Sequence, residues 1–333
     1  MKKYWVYGLG AALVDTEIEV QDDDLAAMGV DKGLMTLVDE KRQCELLQHL
    51  SRHLVHARHA SGGSAGNSMI ASARFGSPAF MSCKVANDSG GDIYVADLEA
   101  AGVDHCLKKG RGPGTTGKCL VLISPDAERS MNTYLGVSES LSITELDPQA
   151  LAASAYLYIE GYLVTSPTGR AAAARARELA EAAGVKTALS FSDPGMVTYF
   201  REYMQEIIGD GLDLIFCNAD EAIAWSGSDT VEQAADALRN VTRSFAITCG
   251  AGGAIVWDGQ QQDRLTAPPV KAIDSNGAGD MFAGAFLYAL SRGESYERAG
   301  KFANLAAGQV VSNFGPRLPA ERYVELRKVF FGR

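Results

Sequence analysis

Short apolar runs alternate with longer helical patterns from about residue 54 onward, and this alternation constrains the fold more than any other feature of the sequence. Glycines that end helices follow several of these patterns, as at Gly76, Gly102 and Gly184. Repeated strand–helix units predict a mainly parallel sheet with helices on both faces. The predicted strand–helix pairs are 54–60 with 65–75, 79–85 with 89–101, 155–159 with 166–183, 186–191 with 194–208, and 212–216 with 219–225.

Two regions depart from this alternation. Residues 13–38 lack a clear helical pattern, and residues 115–135 contain two strand-like runs, 118–123 and 130–135, separated by a turn. These segments predict a small second sheet that projects from the main body. Such a sheet beside an active site is often a lid that excludes water, and an ordinary edge meander is the alternative. Because no low-complexity linker or internal repeat interrupts the chain, residues 1–333 are predicted to form a single domain.

The segment 274–280 places three small residues, Gly277 to Gly279, between the carboxylates Asp274 and Asp280 and directly before a long apolar helical pattern. The first N–H groups of a helix have no partner within it, and small residues leave them uncovered. With the helix dipole, such groups suit a phosphate or a developing oxyanion. Asp280 could accept a proton beside that anion, and the dipole argument predicts that it stays ionised at neutral pH. The segment therefore indicates phosphoryl transfer, with a capped glycine-rich turn as the alternative.

A second glycine-rich turn precedes the helical pattern at 65–75. Gly62 and Gly63 would let a ligand approach the backbone closely, and Asn67 offers both a donor and an acceptor to a hydroxyl-rich ligand. Asp15, just after the first strand, could accept two hydroxyl hydrogen bonds. Ordinary turn residues are the alternative at both places.

Asn218 and Glu221 lie where a predicted strand passes into a helix. Ligand sites are expected at the carboxyl ends of parallel strands. Both side chains can hold Mg²⁺ through water, because this ion keeps much of its hydration shell. The alternative is that Asn218 only caps the helix.

Two partial nucleotide motifs are rejected. Gly8 and Gly10 begin like a dinucleotide fingerprint, but Leu13 stands where the third glycine belongs. The segment 112–119 is similar to a P-loop, but Cys119 replaces the Ser or Thr that would hold Mg²⁺, and a strand is predicted to follow.

Four histidines are spaced three and four apart, but the helix that would align them is predicted to end among them. We therefore interpret them as surface residues rather than metal ligands. They are His49, His53, His56 and His59.

The formal net charge of −10 argues against a nucleic-acid partner or an anionic membrane surface. It does not exclude a nucleotide, because backbone N–H groups and local cations can bind phosphate. The six cysteines are scattered without a C-x-x-C pair, which is typical of reduced thiols. The sequence has neither a convincing signal peptide nor an apolar run long enough to span a bilayer. We therefore expect a cytoplasmic protein.

Taken together, these motifs resemble the ribokinase (PfkB-type) family of sugar and nucleoside kinases over essentially the whole chain. The family pattern D-T-x-G-A-G-D corresponds to 274–280, with Ser275 in place of Thr. The pattern G-G-x-x-x-N corresponds to 62–67, and N-x-x-E corresponds to 218–221. The resemblance implies a three-layer α/β/α fold with a mainly parallel central sheet and a small β-sheet lid.

The resemblance also implies a role for each candidate residue. The catalytic group would comprise the base Asp280, the anion hole Gly277, Ala278 and Gly279, and the lid arginine Arg129. The acceptor hydroxyls would contact Asp15, Gly62, Gly63 and Asn67. ATP would lie beside Asn218, Thr248, Gly250, Gly253 and Asn304. Mg²⁺ would be held through water by Glu221 and Asn218, and a monovalent cation such as K⁺ would lie near Asp274.

Residues 281–286 and 133–136 look most like those of bacterial adenosine-kinase-type members. We therefore predict ATP-dependent phosphorylation of a primary hydroxyl of a ribose-containing nucleoside, with adenosine converted to AMP. A base slot is expected from Tyr162, Leu163 or Phe191. The alternatives are a ribokinase-like or fructokinase-like sugar kinase, and a catalytically silent regulatory protein that binds a nucleotide or sugar. The resemblance is compatible with a monomer or a homodimer.

Overall fold

The computed structural model describes residues 2–50, 58–107, 110–126 and 128–332, with only the backbone of residues 58 and 59. The strands in this part of the chain are β1 (Tyr4–Leu9), β2 (Leu13–Glu19), β3 (Met35–Leu37), β4 (Arg58–Gly62), β5 (Ala79–Ser82), β6 (Val103–His105), β7 (Gly117–Ile123), β8 (Arg129–Tyr134), β9 (Ser154–Glu160), β10 (Lys186–Ser190), β11 (Leu214–Asn218), β12 (Phe245–Thr248), β13 (Ala254–Trp257) and β14 (Gln262–Leu265).

Helices separate most of these strands. They are α1 (Asp22–Met28), α2 (Glu40–His49), α3 (Ser64–Phe75), α4 (Ser89–Ala101), α5 (Pro148–Ala152), α6 (Pro167–Ala182), α7 (Pro194–Tyr199), α8 (Arg201–Ile208), α9 (Ala219–Ser226), α10 (Val231–Leu238), α11 (Ala278–Ser291), α12 (Tyr296–Val311) and α13 (Ala320–Phe331). Most lie where the periodicity predicts them, but the segment 194–208 is divided into α7 and α8 near Phe200.

The main sheet has nine strands in the order β14-β13-β12-β11-β10-β9-β1-β5-β6. Neighbouring strands from β12 to β6 are parallel, whereas β13 and β14 are antiparallel. In the centre, Val6 lies opposite Ala79 on one side and Tyr156 on the other. Helices α3, α11, α12 and α13 pack against one another as one group, and α5 to α10 pack as a second group. The sheet is therefore the middle of three layers. The predicted three-layer fold with a mainly parallel sheet is therefore confirmed.

The second sheet has five strands in the order β3-β8-β7-β2-β4. The segments 13–38 and 115–135 supply four of these strands. The fifth, β4, corrects a prediction, because 54–60 was expected to supply a strand of the main sheet, whereas β4 pairs antiparallel with β2. Its residues, Arg-His-Ala-Ser-Gly, are polar or small, which suits a half-solvated antiparallel sheet better than a buried parallel one.

A short helix inside 13–38 is a second departure from the sequence expectation. Helix α1 has only seven residues, and a capping box between Gln21 and Asp24 begins it. Gly29 ends it in a left-handed conformation with φ 61°. Local capping rather than hydrophobic periodicity therefore specifies this helix.

Helix α11 is apolar on every side and lies in the core. Residues 281–289 are all buried, and the helix packs against α3 and α12. This packing brings the first turn of α11 beside the first turn of α3. Within the described residues, no helix is long and apolar enough to cross a membrane.

Candidate active site

A cavity of about 510 Å³ lies between the two sheets. The last residues of four parallel strands line it, namely Glu160 of β9, Ser190 of β10, Asn218 of β11 and Thr248 of β12. Asp15 of β2 faces it from the second sheet. Ligands of open α/β sheets bind at the carboxyl ends of the strands, and this cavity has that location.

Asp280 lies in the first turn of α11 and lines the cavity. Ser64 Oγ donates a hydrogen bond of 2.6 Å to Oδ1 of Asp280, and Asn67 Nδ2 donates one of 3.0 Å to Oδ2. Both donors belong to the first turn of α3. The fold therefore unites the two glycine-rich turns, whose aspartate and asparagine the sequence identifies separately. Ser64 is a functional candidate that the sequence reasoning missed, although it lies inside the segment 62–67.

The environment of Asp280 adds two effects to that of the helix dipole. Burial raises the pKa of this carboxyl, and the hydrogen bonds from Ser64 and Asn67 oppose that shift by favouring the ionised form. The side chain is nevertheless accessible from the cavity. A base with a raised pKa is a better proton acceptor than an ordinary aspartate.

The turn before α11 leaves backbone donors uncovered. Gly277 precedes the helix with φ 69°, a left-handed conformation that favours glycine, and among the described residues no side chain caps this end. Among the described residues, no atom apart from the adjoining residues and the backbone of α11 lies within 4 Å of the point where a Cβ of Gly279 would be. Gly277, Ala278 and Gly279 all line the cavity. Their geometry suits a bound anion at the helix terminus.

Asp15 lies directly over the other glycine-rich turn. A Cβ on Gly62 would be 2.0 Å from Oδ1 of Asp15, so only glycine leaves room for this carboxylate. Burial, and then the charge of Glu17, raise the pKa of Asp15 to about 7. Oδ1 of Asn67 is buried and has no hydrogen-bond partner in the described part of the chain. Asp15, Gly63 and Asn67 line the cavity, whereas Gly62 lies behind Asp15.

Glu160 is a buried carboxylate that the sequence reasoning did not single out. Its side chain accepts hydrogen bonds from the backbone N–H groups of Ala65, at 2.8 Å, and Ala11, at 3.3 Å. Burial raises its pKa to about 7. Glu160 thus joins the end of β9 to the start of α3. The available signal was a carboxylate at the end of an otherwise apolar strand.

Asn218 and Glu221 form a capping box at the start of α9. Oδ1 of Asn218 accepts from the N–H of Glu221 at 2.8 Å, while Nδ2 and the N–H of Asn218 donate to the Glu221 carboxylate at 2.8 and 3.0 Å. Burial raises the pKa of Glu221 to about 8. Both side chains also line the cavity, and a carboxylate oxygen with one such bond can accept another. The pair therefore fits an ion held through water.

The other residues predicted to bind ATP differ in how close they lie to the cavity. Thr248 and Gly250 line the cavity. The carbonyl of Gly253 accepts a 2.7 Å hydrogen bond from the N–H of Cys249 and closes the turn behind them. Asn304 is buried and donates to the carbonyl of Thr266 at 3.4 Å. Gly253 and Asn304 are therefore outside the cavity lining.

Arg129 of β8 forms a buried ion pair with Asp274. The carboxylate of Asp274 also accepts from the N–H groups of Asn276, at 2.8 Å, and Gly315, at 2.7 Å. Gly315 and the guanidinium share Oδ2, whereas Oδ1 has only the N–H of Asn276, so the monovalent cation near Asp274 stays a prediction. Arg129 also lines the cavity, where its positive charge suits an anion, and burial lowers its pKa to about 10.

The candidates for the base slot and the four spaced histidines lie in different parts of the fold. Tyr162 lines the cavity, and its hydroxyl donates to the carbonyl of Ser192 at 3.3 Å. Leu163 and Phe191 belong to the hydrophobic core, which corrects their assignment to the base slot. Of the four spaced histidines, His49 ends α2, His53 and His56 lie outside the described residues, and only the backbone of His59 is described. No group of three or more His, Cys, Asp or Glu side chains in the described ranges could hold a metal ion.

Comparison with known proteins identifies the family. The chain is 28% identical to the adenosine kinase of Schizophyllum commune over 351 residues, which cover 94% of this chain and 98% of that protein. It is similar in structure to the adenosine kinase from Sinorhizobium meliloti, with 34% identity, a TM-score of 0.91, and coverage of 98% of this chain and 99% of that one. It is also similar to a probable sugar kinase protein from Rhizobium etli CFN 42, with 32% identity, a TM-score of 0.92, and coverage of 99% of both chains.

Residues 30–322 match the profile of the pfkB family carbohydrate kinases. The predicted family and enzyme class are therefore confirmed. The chain belongs to the pfkB family and is an ATP-dependent sugar or nucleoside kinase.

Proposed function

We propose that this kinase transfers the γ-phosphoryl group of ATP to the primary hydroxyl of adenosine and forms AMP and ADP. One observation carries the mechanism. The carboxylate of Asp280, at an uncapped helix terminus, is hydrogen-bonded to Ser64 and Asn67 of the turn predicted to bind the acceptor. The base, the anion site and the acceptor turn are thus parts of one cavity.

Asp280 accepts the proton of the acceptor hydroxyl, and the resulting oxygen forms a bond to the γ-phosphorus while the bond to the ADP oxygen breaks. The transition state of phosphoryl transfer is loose, so positioning and charge stabilisation matter more than a strong base. The backbone N–H groups at Gly277, Ala278 and Gly279 stabilise the charge on the transferring group. Arg129, which lines the cavity beside its partner Asp274, contributes a second stabilising charge from the lid side.

The ribose hydroxyls bind at Asp15, Gly63 and Asn67. The free Oδ1 of Asn67 accepts from one hydroxyl, and the carboxylate of Asp15 accepts from others. Because Gly62 has no Cβ, Asp15 can lie close to the turn that it shares with Asn67. A carboxylate and an amide so placed recognise a vicinal diol better than a single hydroxyl.

An apolar wall beside this diol site favours a nucleoside over a free sugar. Tyr162 supplies an aromatic ring, and the second sheet, with the residue that follows β8, supplies five apolar side chains. These are Leu13, Met35, Leu37, Met131 and Leu135. A purine base buries apolar surface against such a wall, whereas a sugar would leave it exposed. We propose that the second sheet acts as a lid that covers the acceptor and excludes water.

ATP occupies the part of the cavity next to Asn218, Thr248 and Gly250, with Gly253 and Asn304 supporting this wall from behind. Mg²⁺, when bound, neutralises phosphate charge during transfer. Glu221 and Asn218 would hold it through water.

A panel of acceptors tests the proposal. Purified protein is given Mg-ATP with adenosine, inosine, ribose or fructose, and ADP release and product mass are measured. We expect the highest kcat/KM with adenosine and a product with the mass of AMP. Turnover of ribose or fructose without turnover of adenosine would identify a sugar kinase. ATP binding with no transfer to any acceptor would contradict the proposal and indicate a regulatory protein.

A further inference from the structure

The segment Gly315-Pro316-Arg317, here called the C-terminal strap, contacts both glycine-rich turns. The N–H of Gly315 donates to Oδ2 of Asp274 at 2.7 Å. A Cβ on Gly277 would lie 2.4 Å from the carbonyl oxygen of Pro316, so the strap runs directly against the anion turn. Arg317 extends from the strap to the other turn. No sequence motif pointed to these three residues.

Arg317 is held by two groups beside the acceptor turn. Nη2 donates to the carbonyl of Ser61 at 2.8 Å, and Nη1 lies 2.7 Å from Oδ2 of Asp97 on α4. Ser61 Oγ donates to the same Asp97 oxygen at 2.5 Å, which closes the network. The Arg317 side chain is only 14% exposed. The planar fork of an arginine donates to a carbonyl and a carboxylate from two nitrogens at once, a geometry that the single nitrogen of a lysine does not reproduce.

Ser61 directly precedes Gly62 and Gly63, so the carbonyl that Arg317 binds belongs to the peptide linking Ser61 to the turn. Loop residues that bind ligands need a rigid support, because small displacements of a reacting group reduce turnover strongly. We propose that Arg317 is a positioning residue that holds the acceptor turn at a fixed distance from the anion turn through Ser61, Asp97 and the C-terminal strap. This inference rests on the assignment of Gly62, Gly63 and Asn67 to the acceptor.

The charge of Arg317 has a second effect, on Asp15. The charged groups around Asp15 are Glu17, Asp280, Arg317 and Arg129, with the Cys119 thiol close by. The two carboxylates raise the pKa of Asp15, and the two arginines lower it, Arg317 more than Arg129. Loss of the Arg317 charge should therefore raise the pKa of Asp15 above its present value of about 7. Asp15 would then be protonated over more of the neutral range.

Three variants separate the positioning effect of Arg317 from the effect of its charge. Arg317→Met removes the hydrogen bonds and the charge, and Arg317→Lys keeps the charge without the two-pronged hydrogen bonding. Asp97→Asn weakens the contact with Arg317 without removing the arginine. Arg327→Met is the matched control. Arg327 of α13 also donates to a backbone carbonyl, that of Phe75 at 3.0 Å, but it lies away from the acceptor turn. KM and kcat for the acceptor and for ATP are measured with each variant, together with the pH profile of kcat/KM and thermal unfolding.

We expect Arg317→Met and Arg317→Lys to raise the KM for the acceptor about 10- to 100-fold, the range for lost hydrogen bonds to a charged group, and to leave the KM for ATP unchanged. Asp97→Asn should also raise the KM for the acceptor. The acidic limb of the kcat/KM profile should move to higher pH in Arg317→Met and stay in place in Arg317→Lys. Arg327→Met should leave the acceptor KM and this limb unchanged.

Arg317 variants that match Arg327→Met in acceptor KM and in pH profile would overturn the inference. If Arg317→Met does not fold, Arg317→Lys and Asp97→Asn decide the positional part, because an unchanged acceptor KM in both contradicts it. The measurement uses whichever acceptor of the panel is turned over. Inactivity on adenosine would therefore refute the proposed function without deciding the role of Arg317.

Discussion

Ser64 Oγ donates a 2.6 Å hydrogen bond to Oδ1 of Asp280, although 216 positions separate the two residues. This contact joins the first turn of α3 to the first turn of α11. It couples the acceptor turn to the candidate base, because any displacement of α3 changes the hydrogen bonding of Asp280.

Asp280→Asn should abolish most of the activity, because the amide cannot take the proton of the acceptor hydroxyl. We expect kcat with adenosine to fall about 10²- to 10⁴-fold, the range for removal of a general base. Steady-state kinetics measure this, with Asp236→Asn on the surface of α10 as the matched control. Near-native turnover of Asp280→Asn would exclude it as the base.

Ser64→Ala should change the pH dependence of catalysis. The Ser64 hydrogen bond lowers the pKa of Asp280 by favouring its ionised form, so its loss should raise that pKa. The base is then protonated over a wider acidic range, and kcat/KM should fall at low pH while recovering toward high pH. The pH profiles of Ser64→Ala and wild type measure the shift. A uniform loss of activity at all pH values would contradict this explanation.

Gly62→Ala should impair acceptor binding, because the new Cβ would lie 2.0 Å from Oδ1 of Asp15 and must displace that carboxylate. We expect a higher KM for adenosine and an unchanged KM for ATP. Gly112→Ala is the control, since no described atom beyond its chain neighbours lies within 4 Å of its Cβ position. An unaltered adenosine KM in Gly62→Ala would separate Asp15 from acceptor recognition.

Tyr162→Ala should reduce the preference for a nucleoside. Stacking of a base on an aromatic ring contributes about 1–3 kcal/mol, so the KM for adenosine should rise about 5- to 150-fold. The kcat/KM for ribose, which has no base, should stay the same. Tyr162→Phe keeps the ring and should behave like wild type with adenosine. Equal losses with adenosine and ribose would indicate a general disturbance of the cavity instead.

Buried carboxyls should make the protein less stable as the pH rises. The pKa is raised to about 7 in Glu160 and Asp15 and to about 8 in Glu221, mainly by burial. Each raised pKa means that the folded state keeps a proton that the unfolded chain has lost. The stabilisation is complete below the ordinary carboxyl pKa of about 4 and is lost as the pH rises through about 7 to 8.

The free energy of unfolding, measured with urea, should therefore fall between about pH 5 and pH 8, by at most about 1.4 kcal/mol per pH unit for each group. Glu160→Gln removes one titrating group and should make this slope shallower. Glu178→Gln is the control, because Glu178 is an exposed residue of α6. A slope of the same size in Glu160→Gln and wild type would refute the buried ionisation of Glu160.

Local patterns were sufficient for most of the architecture, and they suggested a chemistry for each motif. The β/α alternation predicts the parallel sheet, because a strand or helix buries its apolar face with a period set by its own backbone. The segment 274–280 indicates an anion site for a similar reason, since the small residues and the helix that follows are contiguous. The helix at Asp22–Met28 was missed because its capping signal is stronger than its periodicity.

The contacts between these motifs depended on the tertiary fold. The pairing of β4 with β2, the hydrogen bond from Ser64 to Asp280 and the ion pair of Arg129 with Asp274 join residues that are distant in the chain. Packing of α3 on α11 and of the strap on Gly277 decides them, and nothing in a local pattern encodes that packing. The same packing excludes water, and this desolvation raises the pKa of Asp280, an effect that the argument from the helix dipole did not include.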